Sequence, residues 1–154
     1  MPIVPGTRAD VLIAGVYALQ CIVPFIVWRS FRFARRRSFA THRRIQLSLL
    51  AFCTAAVVLL EARIRLAGGT GVLTAASTFA GSTAFRIIFG VHITGAVLTY
   101  ALWGWLAFVS NRRFSQTLPG AFSARHRRLG KTIFGGLCFT VLSATAMFFL
   151  GFVF

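Results

Sequence analysis

The chain reads as an all-α membrane protein: an up-down-up-down four-helix transmembrane bundle forming one domain over residues 1–154, with both termini outside the cytoplasm. Three observations predict it. Hydrophobic residues make up 57% of the sequence and mean hydropathy is +0.78, more apolar than a soluble domain of this size. The apolar residues gather into four runs long enough to cross a bilayer. The basic residues fall in the connections between those runs, where multispan proteins carry the charges that orient them.

The first span covers residues 9–28, with Pro24 placed to kink its inner end. Positive charge follows this run rather than preceding it, and no small-residue cleavage site precedes that charge, so it reads as a retained span rather than a signal peptide. The second span, 45–64, rises about 30 Å, enough for one crossing. Gly68-Gly69-Thr70-Gly71 ends it. Residues 67–85 are small and almost uncharged, and read as an outer loop with a short interfacial helix at 72–79. The third span is 87–110 and the fourth 129–153. Between them lies a loop rich in arginine. Small residues in the third span allow close approach of a neighbour. His92, Gly95, Ala96, Thr99 and Trp103 share one helical stripe, expected to face the interior.

Charge sets the orientation. Thirteen of the 17 Lys and Arg residues lie in the two connections read as inner: Arg29, Arg32, Arg35, Arg36, Arg37, Arg43, Arg44, Arg112, Arg113, Arg125, Arg127, Arg128 and Lys131. The positive-inside rule then puts those connections in the cytoplasm. Trp28, Trp103 and Trp105 map to the same interface, as an aromatic belt. Arg35, Arg36, Arg37, Arg43, Arg44, Arg127 and Arg128 are read as facing the bilayer's anionic lipid headgroups.

Several function classes are disfavoured. A net charge of +15 raises nucleic acid as a partner. However, the charge is spread between apolar spans and no polar basic domain exists to hold a duplex, so none is expected. Cys21, Cys53 and Cys138 have no paired spacing and read as small buried hydrophobes. Two acids, three separated histidines and no nucleophile–base arrangement argue against an enzyme. No Gly-rich phosphate loop is present.

Ionisable groups within spans are costly, and so are the candidates for function. His92 and Glu61 are expected at similar depth near the outer ends of the third and second spans. They could touch directly or share a metal or haem; equally, they could be a register-fixing pair, with Arg63 or Arg65 as the carboxylate's partner. Glu61 is read as deeper than Asp10, so its loss should disturb the outer end more. His42 and His126 open the second and fourth spans. These run parallel, which puts both imidazoles at one depth on the inner side. There they could be two ligands, a proton-exchanging pair, or contacts to lipid phosphate beside the arginines. The depth gap between His42 and His92 excludes one site using all three histidines.

His42-Arg43-Arg44-Ile45, Val91-His92-Ile93 and Arg125-His126-Arg127-Arg128-Leu129, in a short four-span chain, resemble the CtaM-like family of four-span bacterial membrane proteins of largely unknown function. That family is linked to maturation of haem–copper cytochrome oxidase. The resemblance covers about residues 9–153. It implies a bacterial inner (plasma) membrane location, with His42, His92 and His126 as candidate copper or haem ligands. It also implies a further histidine near the outer end of the second span, where this chain has Glu61, Arg63 and Arg65. Three readings follow. The leading one is an accessory or assembly protein of a haem–copper oxidase or similar respiratory complex, in contact with other integral membrane subunits. The others are a small structural subunit without a cofactor, and a haem-b electron carrier.

Overall fold

The computed structural model describes residues 7–114 and 116–154. Among the described residues there are helices and turns but no strand. The helices are α1 (Val11–Arg35), α2 (Phe39–Leu66), the four-residue α3 (Thr70–Leu73), α4 (Thr83–Arg112) and α5 (Ser123–Phe148), which continues as a π-helical turn, Phe149–Val153. Four of these are long and apolar enough to cross a membrane: α1, α2, α4, and α5 with its π-helical turn.

The long helices outrun the apolar spans. α1 continues past Trp28 to Arg35, α2 starts at Phe39 rather than Ile45, α4 starts at Thr83 rather than Ile87, and α5 starts at Ser123 rather than Leu129. Hydropathy ends a span at its first charges. Arginine, though, is a good helix former, and its long side chain lets a charged turn continue an apolar one. His42 and His126 therefore sit inside helices, about one turn from the start, rather than at their mouths. α1 runs continuously through Pro24, which is buried. The outer loop's helix is also displaced: it covers Thr70–Leu73 rather than 72–79, and turns follow it.

Helix ends follow cap chemistry. Asp10 caps α1, its Oδ1 accepting from Ile13 N at 2.9 Å, and Ser82 caps α4, accepting from Phe85 N at 3.1 Å. α2 ends in a Schellman arrangement: Gly69 N donates to Ile64 O at 2.9 Å and Gly68 N to Arg65 O at 3.0 Å, with Gly68 at φ +90°. α1 ends the same way. Ser38 N donates to Phe33 O at 2.9 Å and Arg37 N to Ala34 O at 3.1 Å, with Arg37 in the left-handed region at φ 61°. That cap makes the α1–α2 connection very tight and returns the start of α2 onto the end of α1.

α1 packs on α2 and α5, and α4 packs on α5 and, less extensively, on α2. The interior is built from Val23, Val27, Leu49, Cys53, Trp103 and Leu137. The α4 stripe points inward as its spacing predicts: Thr99 and Trp103 are buried, and His92, Gly95 and Ala96 are partly so. Where α4 meets α5, a Cβ on Gly95 would run into Phe139 and one on Gly136 into Thr99, so both glycines permit the approach. The outward faces are apolar, with Leu142 71% and Phe25 69% exposed. In water such a surface would be an association hazard, whereas hydrocarbon suits it.

Candidate functional site

The two acidic residues lie together at one end of the bundle, with the start of α1 and the end of α2. Asp10 Oδ2 pairs with Arg63 Nε at 3.0 Å, joining these two helices while Oδ1 caps α1. Glu61 pairs with Arg65 at 2.6 Å within α2. The Glu61 side chain is 52% exposed against 32% for Asp10, so Asp10 is the more enclosed by protein of the two. His92 is partly buried and its Nδ1 lies 2.9 Å from Ser143 Oγ on α5. The polar contacts of Glu61 and His92 are thus made separately, one within α2 and the other between α4 and α5. Spacing gives the face a residue shares with its own helix neighbours, but not which residue of another helix it meets. An arginine four residues on offers Glu61 a nearer partner.

At the opposite, basic end the structure does assemble a site. The start of α2 carries His42 beside the end of α1, and the start of α5 carries His126 beside the end of α4. The two rings lie 6.3 Å apart between centroids, close to perpendicular at 82°. Each Nδ1 is held by a neighbouring helix. His42 Nδ1 lies 3.1 Å from the Ser30 carbonyl, which can only accept, so this nitrogen carries a proton and, in the neutral imidazole, Nε2 holds the lone pair. His126 Nδ1 lies 2.8 Å from Ser110 Oγ.

A chain of polar groups supports the pair from the interior side. Gln46 Nε2 donates to Ser30 Oγ at 2.6 Å, and Gln46 Oε1 accepts from Trp103 Nε1 at 3.0 Å. Ser30 Oγ in turn donates to Val27 O at 2.7 Å. The links run from α1 through α2 to α4. Trp103 is only 3% exposed, so it belongs to the core rather than to an interfacial belt. Its indole N–H tolerates burial because Gln46 meets it. Trp28 and Trp105 do lie at the surface, and Arg32 and Arg125 sit over their rings at 4.6 and 5.8 Å. Arg43 reaches across from α2, donating from Nε to Asn111 Oδ1 at 2.8 Å, with its guanidinium 4.7 Å from the Phe114 ring centre.

These groups border a cavity of about 480 Å³ that all four long helices line. Both histidines, Gln46 and Trp103 contribute to its wall. Sequence reading finds the histidines but misses Ser30, Gln46, Ser110 and Asn111. Gln46 carries a signal, as a lone amide near the start of an apolar run. The other three carry none, because short polar residues near helix ends are common.

Among the described residues no group of three or more His, Cys, Asp or Glu side chains is placed to hold a metal ion. The histidine pair can offer two imidazole nitrogens and no more. The cysteines are free; Cys53 is buried, and Cys21 and Cys138 are partly buried. Comparison with protein families, with curated proteins and with solved structures finds no match.

Proposed function

We propose that the chain is a multi-pass accessory protein of a bacterial inner membrane that helps assemble or stabilise a haem–copper oxidase or a similar respiratory complex, holding copper or haem transiently on His42 and His126. The bundle is read as up-down-up-down, with the basic end in the cytoplasm and the Asp10 end outside. The Asp10–Arg63 and Ser30–Gln46 links support that topology, since they join α1 to α2 at opposite ends. The charge bias supports the orientation.

The observation that carries the ligand reading is the spacing of the two rings. A metal–imidazole bond is about 2.0–2.1 Å, so two imidazoles on opposite sides of one ion hold their nitrogens roughly 4 Å apart, with ring centres about a ring's width further. A centroid separation of 6.3 Å is in that range. Two nitrogens are too few for a closed tetrahedral site. They suit a soft monovalent copper ion or the two axial positions of haem iron. The cavity beside them falls within the roughly 300–1,000 Å³ of cofactor pockets. His92 stands apart from this pair, with Ser143 as its partner.

The test is metal analysis and an absorption spectrum of gently solubilised protein from cells making the oxidase. Copper or iron near one per chain, lost in both His42→Ala and His126→Ala but kept in His92→Ala, is the expected result. Absence of both metals would sink the ligand reading and favour a structural subunit without a cofactor. That second reading draws on the broad apolar surface, and fixed-stoichiometry recovery with a large complex would support it.

A further inference from the structure

We propose that the cavity at the basic end is a binding site for one anionic phospholipid, its phosphate among Arg35, Arg37, Arg43, Arg127 and Lys131 and one acyl chain between the helices. This goes beyond the metal reading. It depends on the cavity's walls and mouth and does not require the imidazole nitrogens, so either reading can fail while the other stands.

The walls come first. Val27, Phe31, Leu47, Leu106, Phe114 and Ile133 line the space. Filled with liquid water, a volume of 480 Å³ would hold on the order of 16 molecules at about 30 Å³ each, and each would need two to four polar partners. Much of the walls' polar capacity is already used. Trp103 Nε1 donates to Gln46 Oε1, and Gln46 Nε2 to Ser30 Oγ outside the wall. The Asn111 side-chain oxygen accepts from Arg43, and the Nδ1 atoms of His42 and His126 are held by Ser30 O and Ser110 Oγ. An apolar chain fits such walls better than water does.

Charge then selects the lipid class. Arg35, Arg37, Arg43, Arg127 and Lys131 all line the cavity, and all five are solvent-exposed. The protein has no carboxylate to offer them, because its two acidic residues sit at the far end, paired with Arg63 and Arg65. The counter-charge at this mouth must come from outside the chain. Arg43 is held in place by Asn111 and Phe114 through its Nε and its ring face, which leaves its terminal nitrogens for an anion. A phosphate that carries its own hydrocarbon answers walls and mouth together.

The test is native mass spectrometry of purified protein titrated with palmitoyl-oleoyl phosphatidylglycerol or the matching phosphatidylcholine. Two variants accompany the wild type. Arg35→Gln, Arg127→Gln and Lys131→Gln together alter exposed side chains only. Ala107→Phe fills the cavity, and a thermal melt checks that it folds. One phosphatidylglycerol per chain should survive activation that strips all phosphatidylcholine. At roughly fivefold per basic group, the triple change should weaken binding on the order of 100-fold. Folded Ala107→Phe should bind neither lipid tightly. Equal retention of the two lipids would overturn the proposal. So would unchanged phosphatidylglycerol binding in folded Ala107→Phe, since that would place the lipid on the outer surface. If Ala107→Phe fails to fold, the triple variant decides alone: undiminished binding overturns the proposal. His42→Ala and His126→Ala should keep the lipid even where they lose a metal.

Discussion

Gln46 couples three helices through one amide, and its removal can be sized. In Gln46→Leu the volume is nearly kept but the amide is gone. Trp103 Nε1–H, on a side chain 3% exposed, then has no partner. An unmet buried donor costs about 1–3 kcal/mol. Ser30 loses an incoming bond but still donates to Val27 O, so its own hydrogen stays satisfied. Hydrogen bonds between membrane helices average about 0.6 kcal/mol in double-mutant cycles, with a maximum near 1.7. A buried indole facing a two-sided amide belongs in the upper half of that range. Gln46→Leu is therefore expected to destabilise by about 1–3 kcal/mol. Its coupling to Trp103→Phe is expected at about 1–1.7 kcal/mol. The assay is reversible unfolding in lipid–detergent micelles titrated with dodecyl sulfate, followed by far-ultraviolet circular dichroism because a tryptophan is being changed. Coupling below about 0.3 kcal/mol, the level at which independent sites add, would refute the argument that this amide ties α2 to α4.

Other expectations can be checked in the same assay. Asp10→Ala should cost about 1 kcal/mol, as it removes the α1 cap and the link to Arg63, whereas Glu61→Ala should cost no more than about 0.5 kcal/mol, the worth of an exposed pair within one helix; equal costs would contradict the difference in enclosure. Gly136→Ala should destabilise by about 1–3 kcal/mol because its Cβ meets stiff, β-branched Thr99, while adjacent Gly135→Ala meets nothing and should gain up to about 1 kcal/mol. Arg37→Gly should stabilise by up to about 1 kcal/mol by relieving a left-handed non-glycine residue, and a loss would show that the Arg37 side chain outweighs its backbone.

The four long helices were legible because hydrocarbon-length apolar runs are hard to mistake. Their ends were not, because the same arginines that end an apolar run also extend a helix. Helix direction led to the expectation that His42 and His126 share one depth, but the approach of their rings to 6.3 Å also depends on rotation and lateral packing, which direction does not give. The separate partners of His92 and Glu61 could not be read, since they depend on azimuth and on a competing arginine one turn away. Trp103 was placed both on the inward stripe and in the interfacial belt; its burial bears out the stripe, and its indole meets a residue 57 positions away.

α2 contributes only Leu49 and Cys53 to the buried interior. Between lipid and protein, apolar contact alone gives a helix little reason to stay at one angle. Its attitude is set instead by moorings near its tips: His42 and Gln46 on Ser30, Gln46 on Trp103 and Arg43 on Asn111 at one tip, and Arg63 on Asp10 at the other. A pivot or a one-turn slide would break all of them at once. The helix that carries half of the imidazole pair is therefore indexed by polar bonds, much as a key is indexed by its notches.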